Sequence, residues 1–239
     1  MTPSPASDHT TAVPVSASGP APSLDASSPL PLAQLISRLG IQKGPAGTPS
    51  SREWSLDALA GRFVELTSAG AGAALTAAIS LVLQSQLRGE PAVWISVGAT
   101  TFYPPDVAAS GVDLAALPVV RVNDTRAALR AADHLMRSGA FAVVVIDMSV
   151  IGGGDTTVRM AAQSRLAGLA RTHRTLLLCL TRKTGDRPSI GSLISVRGEA
   201  SAERSAFDRF AWSVHITKDK RRGPGWEHSG TCRGPEGLC

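Results

Sequence analysis

The stretch VNDTRAALRAADHLMRSGAFAVVVIDMS (residues 122–149) contains the two periodicities from which the fold is predicted. In its first half, apolar residues recur at helical spacing and form one face of a helix. This face comprises Ala128, Leu129, Ala132, Leu135 and Met136. In its second half, FAVVVID (141–147) is apolar at successive positions, which is typical of a strand buried on both faces. The stretch therefore predicts a helix that leads into an interior strand.

The same alternation extends over most of the chain. Strand-like runs occur at 62–66, 92–97, 118–122, 141–147 and 175–180, and helical patterns lie between them at 73–88, 105–110, 124–138 and 157–172. Alternating strands and helices predict a parallel sheet covered on both sides. After residue 180 two more strand-like runs, 190–196 and 210–217, follow without a clear long helix between them. The predicted fold class is α/β, with a mainly parallel twisted sheet, helices on both faces and an antiparallel C-terminal extension.

Composition divides the chain into four segments. Residues 1–29 are rich in proline and serine and are expected to be disordered, because they cannot bury enough apolar surface. Residues 30–53 are predicted to hold a short docking helix and a linker, with Leu32, Leu35 and Leu39 at helical spacing. Docking on the protein's own domain is slightly favoured over docking on a partner, because an isolated helix this short is marginally stable in water. Residues 54–217 form the predicted α/β core. Residues 218–239 are predicted to be a basic Gly/Pro tail and a candidate partner-binding segment.

The overall composition limits the classes of protein to consider. The 239 residues are 43% hydrophobic, which can supply a core, and the net charge is +5. This charge permits contact with nucleic acid or with an acidic protein, and proves neither. No apolar run reaches the roughly 18 residues of a membrane span, and no secretory signal is recognised, so a cytoplasmic location is predicted. The three cysteines lack the spacing of a zinc site, and no metal is predicted.

The turn between the first strand and the long helix occupies the position of a phosphate loop. Its sequence is TSAGAGAAL (67–75), and Gly70 and Gly72 provide backbone freedom. A phosphate loop also needs a lysine for the phosphate oxygens and a Ser or Thr for Mg²⁺. Ala73 and Ala74 stand at those positions. The turn therefore predicts a strand–turn–helix without a working nucleotide site.

A nucleotide-hydrolysing site also needs an aspartate at the end of an apolar strand, a carboxylate that activates water and a polar group that senses the γ-phosphate. Asp147 is the one clear match. The missing lysine removes charge-assisted hydrogen bonds worth about 1.5–3 kcal/mol each. Backbone N–H groups and the helix dipole contribute only about 0.3–2 kcal/mol. We therefore expect no ATP binding, no catalytic residue and no cofactor.

Three segments resemble the RecA recombinase core. SLDALAGRFVEL (55–66) resembles its entry segment, and GVDLAALPVV (111–120) resembles the stretch before its conserved helix–strand unit. Residues 122–149 resemble that helix–strand unit, which ends in the Walker B aspartate. The resemblance covers about residues 54–218 and implies a RecA-like core.

The resemblance also assigns the vestigial positions. It implies a vestigial phosphate loop at Gly70, Gly72, Ala73 and Ala74, and a vestigial Walker B residue at Asp147. The catalytic glutamate of RecA falls on Gly98 or Ala99, and its γ-phosphate-sensing pair falls on Leu180 and Thr181. The chain also lacks the separate C-terminal DNA-binding domain of RecA. These departures imply a degenerate ATPase fold that is not an enzyme.

A shortened RecA-like core with these features is similar to the ImuA group of damage-inducible mutagenesis cassettes. The similarity implies a non-catalytic adaptor or regulator in SOS-induced error-prone repair, that is, in translesion synthesis. The implied partners are an ImuB-type inactive Y-family polymerase homologue and RecA itself, which the protein would restrain. The candidate partner-binding residues are Leu32, Leu35, Leu39, Lys218, Lys220, Arg221, Arg222 and Trp226. For Trp226 the alternative is packing over the last strand.

Other functions remain open at this point. A single-stranded-DNA-binding protein would use the loops after the Walker B strand and after the next strand. Its candidate contacts are Arg182, Lys183, Arg187 and Arg197. A SulA-like cell-division inhibitor is a further alternative, since SulA is also a RecA-like core without a nucleotide site. An ATPase with an unconventional loop is the least favoured, and homo-oligomers remain open.

Overall fold

The computed structural model describes Met1 and residues 53–68, 73–99, 102–150, 157–183 and 187–234. The chain divides into a unit of Met1–Leu30 and a unit of Pro31–Cys239, and all the helices and strands below belong to the second unit. The predicted disordered segment and the predicted docking helix lie outside the described residues, apart from Met1 and Glu53.

Five α-helices and eight strands form the described part of the second unit. The helices are α1 (Leu56–Leu59), α2 (Ala73–Gln86), α3 (Pro104–Ala109), α4 (Thr125–Arg137) and α5 (Met160–His173), with a 3₁₀ turn at Leu114–Ala116. The strands are β1 (Phe63–Thr67), β2 (Ala92–Val97), β3 (Val119–Val122), β4 (Val143–Asp147), β5 (Leu176–Thr181), β6 (Val196–Ala206), β7 (Arg209–Asp219) and β8 (Glu227–Arg233). The five strands and four helices predicted before residue 181 are confirmed to within a few residues.

All eight strands belong to one sheet, in the order β3-β2-β4-β5-β1-β6-β7-β8. The first six strands in this order, β3 through β6, are parallel to one another. Strands β7 and β8 continue the sheet in antiparallel pairing. This confirms the predicted α/β class with an antiparallel C-terminal extension. Because β1 pairs with both β5 and β6, it joins the parallel half of the sheet to the antiparallel half.

The sheet is covered on both faces, which explains its uninterrupted apolar strands. Leu56 and Leu59 of α1 and the apolar side of α2 pack in one core cluster against alternate residues of the strands, such as Val64 and Val145. Ala128 and Met136 of α4, and Leu166 and Ala170 of α5, pack in a second cluster on the other face. With both faces buried, neither set of alternate positions can be polar without a partner.

The prediction for residues 190–209 is wrong in its boundaries. The run 190–196 was expected to be a strand, but β6 begins only at Val196 and continues through the polar residues to Ala206. Its first half is buried, whereas residues 201–206 are exposed on the outer part of a long hairpin with β7. An exposed hairpin has no buried face, so its sequence lacks the apolar alternation from which strands are predicted.

The predicted boundary between core and tail at residues 217 and 218 is also wrong. Strand β7 runs through Lys218 to Asp219, and β8 pairs with β7 along its whole length. The Trp226 side chain is only 6% exposed and packs in the α2-side cluster, so it is not an exposed anchor for a partner. Residues 218–234 are therefore part of the core, and the alternative of packing over the sheet describes Trp226 correctly.

A buried ion pair connects the start of β1 to the end of β7. Arg62 donates from Nη1 and Nη2 to the two carboxylate oxygens of Asp219, and both side chains are fully buried. Arg62 also donates to the carbonyl oxygen of Ser195. Three further donors reach Asp219: the main-chain N–H groups of Arg221 and Arg222 and the indole N–H of Trp226.

We predict that Asp219→Ala destabilises the fold strongly, because it leaves the Arg62 guanidinium buried without a counter-ion. Breaking a buried pair costs about 3–5 kcal/mol, and the loss is to be measured by urea unfolding at pH 7. The double variant Arg62→Met/Asp219→Leu is the control, and it should lose less than Asp219→Ala alone. A loss below about 0.5 kcal/mol for Asp219→Ala would contradict the assigned role.

The same ion pair has a defined pH dependence. Burial alone would raise the pKa of Asp219, but the bonds from Arg62 and from the N–H groups of Arg221 and Arg222 hold it below its ordinary value. A lowered pKa in the folded state stabilises the fold above the unfolded value of about 3.9. This contribution is lost as the pH falls through the folded pKa, so Asp219→Ala and the native chain should converge in stability in acid.

Candidate functional site

The carboxyl ends of the parallel strands form one edge of the sheet, where open α/β sheets bind ligands. Thr67, Val97, Asp147 and Thr181 are the last residues of β1, β2, β4 and β5, and the register of the strands brings these ends side by side. The structure thus places Asp147, Leu180 and Thr181, three of the positions that the resemblance assigns to a nucleotide site, at one edge of the sheet.

Asp147 is the only acid among those vestigial positions, and it is fully buried. It follows Val143 and Val145 by an even number of residues, so its side chain points to the face covered by α2. Its Oδ1 accepts bonds from the N–H group (3.1 Å) and the hydroxyl (2.6 Å) of Ser149, whereas Oδ2 has no hydrogen-bond partner among the described residues. Burial raises the pKa of Asp147, and the two bonds from Ser149 oppose this shift only in part.

Helix α2 begins where a phosphate loop would require a lysine and a hydroxyl. Ala73 and Ala74 are the first two residues of the helix, with 4% and 6% exposure. Their methyl groups pack in the α2-side core cluster. Gly70 and Gly72 of the preceding turn lie outside the described residues. The start of α2 therefore contributes to the core of the protein and presents no cationic side chain.

The other positions that the resemblance assigns to a nucleotide site are Gly98 or Ala99, Leu180 and Thr181. Gly98 has φ +68°, a left-handed conformation that favours glycine, and it is exposed beside Ala99. Leu180 is buried in the α2-side core, and Thr181 donates to Glu65 on the opposite face of the sheet. Gly98 and Ala99, to which the resemblance assigns the catalytic glutamate, are not acidic. Of the pair that it assigns to γ-phosphate sensing, Leu180 packs in the core and Thr181 forms an internal hydrogen bond.

Sequence reasoning missed a buried polar network around Glu65 of β1. Its carboxylate accepts bonds from Thr181 Oγ1 (3.2 Å), Lys183 Nζ (3.3 Å) and the main-chain N–H of Ile190 (3.1 Å). The network ties the segment after β5 to the middle of β1. The available signal was a single glutamate inside the apolar run RFVEL, which a buried strand tolerates only when the carboxylate is paired.

A cleft of about 270 Å³ opens where β1 ends beside β6 and β7. Its lining is mostly polar and consists of Thr67, Ser68, Lys183, Glu199, Ala200, Ser201 and His215. The main chain of Lys183 is held at this place by Thr67, whose hydroxyl donates to the Lys183 carbonyl and accepts from its N–H. The cleft combines one acid with one lysine and one histidine, so it does not favour a strongly charged ligand of either sign.

The four candidate DNA contacts separate into two pairs. Arg182 and Arg187 are exposed. Lys183 is bound to Glu65, and Arg197 is only 8% exposed and donates from Nη1 to the carbonyl oxygen of Arg187. Two of the four cations are thus engaged inside the protein, which weakens the DNA-binding hypothesis for these loops.

The candidate partner-binding cations lie at the turn between β7 and β8. Lys220 and Arg221 are exposed, and Lys220 Nζ donates to the carbonyl oxygen of Ser192 at 2.7 Å. Lys218 and Arg222 are partly buried; burial and the nearby Lys220 and Arg197 lower the pKa of Lys218. Leu32, Leu35 and Leu39 lie outside the described residues.

Searches of the described ranges for two other kinds of site were negative. No group of three or more His, Cys, Asp or Glu side chains is placed to hold a metal ion. None of the helices within these ranges is both long enough and apolar enough to cross a bilayer.

No protein-family model matches the sequence, and the comparison with curated proteins gives no match either. The functional argument therefore depends on the carboxyl edge of the sheet. At this edge the structure shows one buried carboxylate, two buried alanines at the helix start and a glycine in place of the acid.

We predict that Asp147→Asn stabilises the fold at pH 8. The substitution keeps an oxygen acceptor for Ser149 and removes a charge that burial disfavours. The pKa of Asp147 is raised in the folded state, so its ionised form destabilises the fold. This destabilisation is fully present above the folded pKa and is absent below the unfolded pKa of about 3.9. The gain in Tm should therefore shrink as the pH is lowered from 8 to 4.

The exposed Asp113→Asn is the matched control, since asparagine caps a helix as well as aspartate does. It should leave Tm nearly unchanged over the same pH range. A lower Tm for Asp147→Asn at pH 8 would mean that a cation or a donor compensates the charge of Asp147, and would contradict a vestigial role.

Proposed function

We propose that the chain is a non-catalytic adaptor or regulator of error-prone DNA repair, built on a RecA-like core. Its proposed partners are an ImuB-type inactive Y-family polymerase homologue and RecA. The observation that carries the proposal is the start of α2, where Ala73 and Ala74 are buried in the core at the place of the phosphate-binding side chains.

The energetics of the carboxyl edge favour a protein that does not hydrolyse nucleotides. Binding the β- and γ-phosphates without a lysine forgoes charge-assisted bonds of about 1.5–3 kcal/mol each. Asp147, the acid that would help to hold Mg²⁺, is fully buried, and its Oδ1 accepts two bonds from Ser149. These two features support a core that is kept for its surfaces.

The topology supports the RecA-like part of the proposal. Strand β1, which precedes the glycine-bearing turn, and strand β4, which ends in Asp147, belong to one parallel sheet with β5 between them. Residues 122–149, the most specific part of the resemblance, form α4 and β4 with an N-cap at Asp124.

The surfaces proposed for partner binding include side chains that are exposed to solvent. The turn at Lys220 and Arg221 presents two exposed cations that an acidic group of a partner could bind. Trp226 is removed from this surface because it is buried. Leu32, Leu35 and Leu39 remain the proposed apolar contact, read from the helical spacing of the sequence.

We predict that the full chain co-purifies with a co-expressed ImuB-type polymerase homologue, and that the triple substitution Leu32→Asp/Leu35→Asp/Leu39→Asp abolishes this. Charged residues on the apolar face remove the contact, while residues 54–234 are unchanged, so the circular dichroism spectrum should stay the same. Leu24→Asp, in the Pro/Ser-rich segment, is the control and should retain binding.

The outcomes separate the two parts of this proposal. If the triple variant still co-purifies with the polymerase homologue, the docking helix is not the contact. If the unmodified chain does not bind the homologue or RecA at all, the adaptor proposal itself fails, and a SulA-like role in division becomes the next hypothesis to test.

We also predict that Mg–ATP does not stabilise the protein. A ligand present at 100 times its Kd stabilises a fold by about 2.7 kcal/mol, so about 1 mM nucleotide would reveal any Kd near 10 µM. The measurement is the urea midpoint with and without Mg–ATP, with Mg²⁺ alone as the control. A higher midpoint that appears only with Mg–ATP would show a working nucleotide site.

A further inference from the structure

The charges of the described helices are divided between the two faces of the sheet. On one face, α4, α5 and the residue that follows α5 contain six arginines and one acid, Asp133. The arginines are Arg126, Arg130, Arg137, Arg165, Arg171 and Arg174. We refer to Arg126, Arg130, Arg137 and Arg165, the four that surround Asp133, as the arginine face.

The helix geometry places three of these arginines in one row. Arg126, Arg130 and Arg137 follow a spacing of four and seven residues, so they share one side of α4 over about 16 Å. All three are exposed, and this side faces away from the buried residues of α4, which are Ala128, Ala132 and Met136.

Asp133 neutralises only part of this row. Its Oδ2 accepts a bond from Arg137 at 2.8 Å and lies 3.8 Å from Nη1 of Arg165. Arg126 and Arg130 form no ion pair with any described residue. At least two guanidinium groups are thus free to contact an acidic surface.

The cations of α4 and α5 lie at both ends of the helices, and those in the last turns, such as Arg137 and Arg171, interact favourably with the helix dipole. Arg126 lies in the first turn of α4, and Arg159 immediately precedes α5. The N-terminal end of a helix carries partial positive charge, so cations are unfavourable there. The N-cap Asp124 supplies an acid at the start of α4, whereas Arg159 precedes α5 without one. The helix dipole therefore accounts for Arg137 and does not account for Arg126.

The opposite face carries a complementary acidic surface around the end of α2. Gln86, the last residue of α2, bonds to the main chain of Asp113 through both atoms of its side-chain amide. Arg88 binds Asp57 in a bidentate pair, and Glu90 follows two residues later. Three exposed acids thus lie around the end of α2, of which Asp57 is paired with Arg88 and is also close enough to Arg174 to feel its charge. We name Asp57, Glu90 and Asp113 the acidic end of α2.

We propose that copies of this chain associate by docking the arginine face of one copy on the acidic end of α2 of the next. The two surfaces lie on opposite faces of the same sheet, so the contact is heterologous and leaves a free surface of each kind on a dimer. The inference does not rest on the proposed repair function. It uses neither the carboxyl edge nor the turn at Lys220.

Charge complementarity favours a second copy over nucleic acid. Strong nucleic-acid binding commonly engages about 6–10 phosphates, whereas this face offers four arginines and contains an acid. No Phe, Tyr or Trp occurs in α4 or α5, so these helices lack the large aromatic rings on which single-stranded bases commonly stack.

The test measures the mass of the full chain by sedimentation equilibrium. The native chain should self-associate at about 20 mM salt and dissociate at about 300 mM, where surface charges are screened. Arg126→Glu/Arg130→Glu and Asp57→Lys/Glu90→Lys should each weaken self-association about tenfold or more. An equimolar mixture of the two variants should associate again, because it restores one native contact.

A matched control and a stability measurement exclude a trivial loss of folding. Arg182→Glu/Arg187→Glu reverses two exposed cations elsewhere and should leave self-association unchanged. Arg126→Glu alone should raise Tm slightly, because it puts an acid at a helix N-terminus, and it should still weaken association.

Four results would overturn the proposal. They are a native chain that is monomeric in low salt, unchanged association of the arginine-face variant, a mixture that stays monomeric, and a native monomer that binds a duplex oligonucleotide or a glutamate-rich peptide through Arg126 and Arg130. The last result would assign the face to another partner.

Discussion

The position of β1 between β5 and β6 is the constraint on which the rest of the structure depends. This strand joins the parallel half of the sheet to the antiparallel half, and the buried ion pair of Arg62 and Asp219 secures the junction. A buried pair is not intrinsically stabilising, because desolvation opposes the attraction, but it strongly disfavours any arrangement in which one partner is left alone. It thereby specifies that the end of β7 lies beside the start of β1.

At the carboxyl edge of the sheet, the described residues in the positions of a phosphate site contribute to the stability of the fold. The residues that a phosphate site requires would be polar and would face a ligand. Here Ala73 and Ala74 add to the core, and Leu180 does the same at the end of β5. Asp147 retains a buried acidic side chain, at an energetic cost that the bonds from Ser149 reduce. Stability and hydrolysis use different atoms, so one can persist without the other.

The sequence predicted the interior of the sheet and missed its periphery. Strands β2, β4 and β5 are apolar at successive positions, and α4 has one apolar side, so local patterns were sufficient. Strand β6 is buried only in its first half, and β8 is mostly polar and not fully buried at any position, so neither carries a periodic signal. The candidate site was predicted from the residues that a nucleotide site needs and that this sequence lacks. Of the described positions, Asp147, Leu180 and Thr181 lie at one edge of the sheet.

The sequence by itself determined the α/β class, the order of the elements up to β5 and the absence of a lysine and a hydroxyl at the start of α2. These depend on local periodicity and on residue identity. Only the tertiary structure decided that Trp226 is buried, that Glu65 is bound by Lys183, and that Arg62 meets Asp219. These contacts join residues more than one hundred positions apart or depend on which face a strand exposes. No local pattern encodes which distant charge will be the partner of a buried one.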